Sequence, residues 1–101
     1  MTRSRLWNAE FHRLKGELLL ARDPAAAPDA EIAFRQAMDI ARRQRAKSWE
    51  LRTALSLSRL WQRQGKRDEA GGLLKDAYDW FTEGFDTADL KEARVLLAEL
   101  P

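Results

Sequence analysis

An all-α domain of five helices, two antiparallel hairpins and a closing helix, is predicted by three features of the sequence. Apolar side chains recur at steps of three and four along most of the 101 residues, the spacing that gathers them on one face of a helix. Breaks containing proline or glycine separate these stretches. A block of two alanines around one large apolar residue, Ala30-x-x-x-Phe34-x-x-Ala37, returns forty residues later as Ala70-x-x-x-Leu74-x-x-Ala77.

In the first helix Trp7, Phe11, Leu14, Leu18 and Ala21 form one stripe, which places the helix from about Ser4 to Arg22. The segment Asp23-Pro24-Ala25-Ala26-Ala27-Pro28-Asp29 stops it, because proline has no amide for the helical ladder and biases its predecessor away from α. The second helix opens at Pro28 or Asp29, carries Ala30, Ala33, Phe34, Ala37, Ile40 and Ala41 inward, and fades in Arg42-Arg43-Gln44-Arg45-Ala46-Lys47. Ser48, whose hydroxyl can accept a first-turn amide, is the expected N-cap of the third helix. Leu51, Ala54, Leu57 and Trp61 carry that helix to Gly65, a left-handed stop. The fourth starts near Asp68, runs through Ala70, Leu73, Leu74, Ala77, Tyr78 and Phe81, and ends by Gly84. Asp86 or Thr87 then caps a fifth helix carrying Leu90, Ala93, Leu96, Leu97 and Leu100. The single domain, 1–101, thus divides into a hairpin at about 4–46, a second at about 48–83 and a capping helix at about 87–100.

Composition fits this arrangement and excludes several alternatives. Hydrophobic residues make up 45% and charged residues 34%, with 5 Gly and 3 Pro, a balance suited to helices with one dry and one wet face. The absence of cysteine removes disulfide frameworks, thiolate nucleophiles and cysteine–zinc sites. The basic opening Met1-Thr2-Arg3-Ser4-Arg5 is not followed by an apolar run of signal-peptide length, and the longest such run, Leu18-Leu19-Leu20-Ala21, is far short of a membrane span. A cytoplasmic protein with no membrane partner is therefore expected. Charge is polarised: 16 basic and 9 acidic residues lie at or before Lys75, against 2 basic and 7 acidic beyond it.

The second hairpin carries a family resemblance. Leu57, Trp61, Gly65, Ala70, Leu74 and Ala77 stand at the spacing of tetratricopeptide repeats, with Gln64-Gly65-Lys66-Arg67-Asp68-Glu69-Ala70 as the turn between paired helices. The chain resembles that family, which implies an α-α superhelix. The first hairpin departs from it through its longer proline-containing connection, and Arg42 stands where the family usually has proline, so altered hairpin angles are expected. The stretch from Tyr78 to Ala93, with Phe11-His12-Arg13-Leu14-Lys15-Gly16-Glu17-Leu18-Leu19 and Ser48-Trp49-Glu50-Leu51-Arg52, is similar to the C-terminal end of large bacterial signalling proteins. In those, a nucleotide-cyclase or DNA-binding module and a nucleotide-hydrolysing module precede a tetratricopeptide array. The resemblance implies a protein-interaction or regulatory segment.

Catalytic chemistry has little to stand on. Gly71-Gly72 lies inside a helix beside a leucine pair, where tight packing explains it better than phosphate binding; Gly16 has the same explanation. His12 is the only histidine, so no histidine cluster can hold a metal, and partial burial with a hydrogen bond is expected. Ser48, Ser56 and Ser58 have no partner base and read as caps or packing residues. Asp68/Glu69 and Asp86/Asp89 sit at helix starts, which the macrodipole explains without acid–base catalysis. Trp49, Trp61, Trp80, Phe81 and Phe85 are read as core before cage. No enzyme activity, cofactor or metal is expected.

The expected function is protein binding, with a protein or peptide partner. In tetratricopeptide arrays the first helix of each hairpin lines the concave groove. On the third helix Arg52, Ser56, Arg59 and Arg63 follow steps of four, three and four, a stripe of forked donors that suits the carboxylates of an extended acidic peptide. Solvation, or pairing with Glu10 and Glu17, is the competing explanation of those arginines. The alternative function is a nucleic-acid-binding helical module using Arg42–Lys47, although no recognition helix or interleaved stacking aromatics accompany that run. The first helix carries more apolar surface than one stripe needs. Leu6, Trp7 and Phe11 are therefore candidates for self-association in a homo-oligomer, or for cover by upstream repeats.

Overall fold

Helix periodicity and helix breaks place α-helices where the apolar stripes lie. The computed structural model describes residues 2–83 and 87–100, with side chains from residue 8 onward. Among these are five α-helices, α1 (Thr2–Arg22), α2 (Ala27–Arg43), α3 (Lys47–Arg63), α4 (Arg67–Asp79) and α5 (Ala88–Glu99), and no strand. The proline-rich break forms one 3-10 turn, Pro24–Ala26, opened by Asp23, whose carboxylate accepts the Ala25 amide at 2.9 Å.

The next two connections share one backbone solution. Gly65, at φ 80°, donates its amide to Gln62, and Lys66 donates to the Trp61 carbonyl at 2.8 Å. Arg45, at φ 55°, donates to Arg42, and Ala46 donates to the Ala41 carbonyl at 2.9 Å. Both are Schellman turns, in which a left-handed residue satisfies the last helical carbonyls. Because the turn closes on backbone groups alone, α3 starts at once at Lys47, with Ala46 in the N-cap position. Ser48 therefore lies inside the first turn, exposed, and is not the expected cap. The fourth helix also ends earlier than Phe81: the chain turns at Trp80, and Phe81 donates to the Tyr78 carbonyl. Thr87 occupies the N-cap position of α5 without a side-chain hydrogen bond, while Asp86 lies outside the described residues.

Packing arranges the helices in two layers. α2 packs against both α1 and α3, and α4 against both α3 and α5, while α1 touches α3 and α3 touches α5. The odd-numbered helices therefore share one face and the even-numbered ones lie behind them. The thin dimension of the molecule, 19 Å, is that of two helix diameters. All six positions of the forty-residue repeat, Ala30, Phe34, Ala37, Ala70, Leu74 and Ala77, are buried. The alanines admit close backbone approach and the larger residues fill the space between. In α5 the buried residues are Leu90, Ala93 and Leu96, followed by Leu100; Leu97, expected inward, is half-buried.

α1 is oriented opposite to its apolar stripe. Phe11, Leu14, Leu18 and Ala21 face outward, and the helix turns Ala9 and Gly16 to the core instead. Gly16 explains the choice. A Cβ built on it would stand 2.5 Å from Cε1 of Phe34, a ring that is itself fully buried, so only a residue without a side chain lets α1 approach α2 at this depth. The tight packing expected of Gly71 and Gly72 is absent: a Cβ on Gly71 would make ordinary contact with Leu100, and one on Gly72 would meet open space.

Candidate partner-binding face

The stripe on α3 lies in the middle of the face formed by the odd-numbered helices, because α1 and α5 flank α3 on either side. Arg52, Ser56 and Arg59 are brought together there, and each meets groups from a neighbouring helix. Arg13 on α1 grips Glu10 through two bonds, Nε to Oε1 at 2.7 Å and Nη2 to Oε2 at 2.8 Å. Glu10 also lies 3.6 Å from Nη1 of Arg52, whose Nε donates to Asp89 of α5 at 3.1 Å. Ser56, buried, accepts from Arg13 at 3.3 Å and lies 3.4 Å from Glu17 as donor. Arg59 bonds Glu92 of α5. Carboxylate and guanidinium thus alternate from α1 across α3 to α5.

The electrostatics follow from this order. Hydrogen bonding to Glu10 outweighs the burial of Arg13 and, with the charges of Glu10, Glu17 and Asp89, holds its guanidinium above its already high ordinary value. Arg13 therefore keeps its charge at the centre of this network. Arg52 and Arg59 remain partly open to solvent, with side chains 42% and 39% exposed, so another carboxylate can reach them. Arg63 extends the stripe at its far end, exposed and with no ion pair among the described residues. Sequence spacing found the arginines, but not Asp89 and Glu92, whose approach depends on how α5 folds back over α3.

Other features named from the sequence are placed less suggestively. The basic run is dispersed: Arg43 bonds Asp39, Lys47 lies 3.6 Å from Glu50 and 5.7 Å from the centre of the Trp80 ring, and Arg42 and Arg45 are exposed. The aromatic side chains do not form a cage. Trp61 and Phe81 pack on the edge of the core, Trp49 lies 5.1 Å beneath the Arg52 guanidinium, Trp80 is exposed, and Phe85 lies outside the described residues. His12 is half-buried, but its Nδ1 has no hydrogen-bond partner; an edge-on contact with Phe11 at 5.5 Å replaces the expected bond. Asp68 and Glu69 stand in the first turn of α4. Among the described residues no three His, Cys, Asp or Glu side chains gather as a metal site, and no helix is long and apolar enough to cross a membrane.

On α1, Phe11 is 63% exposed, Leu14 45% and Leu18 64%, a contiguous apolar stripe on the side away from the core. The side chains of Leu6 and Trp7, expected to share it, lie outside the described residues. Comparison with models of protein families, with curated proteins and with solved structures returns no match for this chain.

Proposed function

We propose that this chain is a non-catalytic protein-interaction module, a tetratricopeptide-like superhelix that binds a polypeptide across the face of α1, α3 and α5. The observation that carries this reading is the row of arginines along α3, in which Arg52 and Arg59 are aimed by carboxylates of the flanking helices and Arg63 stands exposed beyond them. Forked donors held in place lose less freedom on binding than free side chains would. An extended acidic segment would take over Arg59 and Arg63 first, since these lie at the open end of the row, while Arg52 and Ser56 are tied more deeply. The two Schellman turns and the paired alanine blocks on α2 and α4 support the tetratricopeptide comparison. A cytoplasmic scaffold or regulatory segment of a bacterial signalling assembly is the setting that fits, on the strength of the resemblance in residues 78–93.

Fluorescence anisotropy with labelled acidic peptides tests the reading. Binding is expected to weaken about tenfold or more in the Arg59→Glu/Arg63→Glu variant, the scale of losing two charge-assisted contacts, with helicity unchanged. Equal binding by that folded variant removes this face. A titration with random duplex DNA separates the nucleic-acid alternative, which requires affinity falling steeply with salt.

A further inference from the structure

The outward stripe of α1 has the spacing of a coiled-coil seam. Phe11, Leu14, Leu18 and Ala21 follow steps of three, four and three, so they fill successive a and d positions of a heptad, and Trp7 continues the series in sequence. Ala9 and Gly16 then fall at f, opposite the seam, which is where the structure buries them. A helix that turns its small residues to its own core and its large apolar residues to solvent is built for two neighbours. α2 and α3 supply one. We propose that the other is α1 of a second copy, in parallel.

Two features select that occupant. α5 presents exposed Lys91, Glu92, Arg94 and Glu99 around exposed Val95, so among the described residues it offers no apolar stripe to match that of α1. Head-to-tail contact between copies needs two different complementary surfaces, whereas one apolar stripe used twice gives a closed dimer. Direction is set by the flanking charges. Glu17 falls at g, with its side chain 41% exposed, and exposed Lys15 and Arg22 fall at e. In a parallel pair g faces e of the next heptad on the partner, which sets Glu17 against Arg22 twice over. An antiparallel pair would bring e against e and g against g, like charge against like.

The four described seam residues are far fewer than the roughly 20–30 per partner of a standard interface, so weak association, on the order of 10–100 µM, is expected. Sedimentation of the full chain across that range should show mass approaching twice the monomer. Leu14→Lys/Leu18→Lys, two exposed positions, should leave the circular dichroism unchanged and weaken the dimer at least tenfold. Arg22→Glu alone and Glu17→Arg alone should each weaken it, and the two combined should restore it. A monomer throughout the range overturns the proposal, as does a dimer indifferent to Leu14→Lys/Leu18→Lys. Failure of the combined charge exchange to restore association overturns the parallel arrangement.

Discussion

Arg45 and Gly65 occupy the same step of two successive Schellman turns, one with a side chain and one without. A left-handed conformation costs an ordinary residue about 1–2 kcal/mol, because Cβ crowds the following carbonyl. Arg45→Gly should therefore stabilise the protein by about 1 kcal/mol in urea denaturation, after the added freedom of glycine in the unfolded chain is discounted. Gly16 presents the reverse case. Ala favours a helix by about 1 kcal/mol over Gly, but a methyl against the buried Phe34 ring forces repacking that costs about 1–3 kcal/mol. The steric effect wins, so Gly16→Ala should lower the melting temperature, and Phe34→Leu should recover part of the loss in the double variant.

Glu31 gives a pH dependence whose sign can be worked out. Burial acts to raise its carboxyl, but hydrogen bonds from Arg35 and from Trp61 Nε1 at 3.2 Å, with the charges of Arg35 and Lys66, outweigh it and hold the group below its ordinary 4.5. A carboxyl lowered in the folded state stabilises it above the unfolded value, and that contribution fades as pH falls through the folded value. Glu31→Gln should thus be less stable than the parent at neutral pH. The difference in chemical denaturation should shrink as pH falls below about 4.5.

At the scale of elements, α5 covers the side of the second hairpin that would otherwise face water. Leu90, Ala93, Leu96 and Leu100 belong to the same buried cluster as Leu51, Leu55 and Leu74. Removing residues 84–101 should expose that cluster and produce aggregation, read by light scattering; a soluble, equally heat-stable truncation contradicts the role of α5 as cover. Helix positions were legible in the sequence because period and breaks are local signals. The orientation of α1 was not, because a stripe of large apolar residues shows that something covers it but not whether that cover is the same chain. Ala9 and Gly16, seven apart, carried the missing signal: two small residues on one face mark where another backbone comes close. The candidate site divides in the same way. Arg52, Ser56 and Arg59 share a local period, whereas Asp89 and Glu92 reach them from a helix 37 and 33 residues away.

At the scale of the whole molecule, the larger buried side chains among the described residues gather in two apolar clusters. One gathers α3, α4 and α5 with Met38 of α2, and the other joins Ala30 and Phe34 of α2 to Leu57 and Leu60 of α3. Trp61 and Leu73 pack against both. In a repeat array each unit touches only its neighbours, so cooperativity depends on the residues that belong to two units at once. Trp61 has further ties to the first hairpin, through its hydrogen bond to Glu31 and the Arg35 guanidinium 5.4 Å from its ring centre. Trp61→Ala should lower stability by less than the ~3–5 kcal/mol of emptying a fully buried aromatic site, because Trp61 is only partly buried. It should also separate the unfolding of the two clusters, while Leu60→Ala, confined to one of them, should destabilise without separating anything. Hydrogen exchange resolves the two effects. In the parent, the slowest amides of α2 and α4 should exchange with a common free energy; in Trp61→Ala those of α2 should become faster than those of α4. Equal protection in both helices of the variant would show that the contact between α2 and α3 joins the clusters without Trp61.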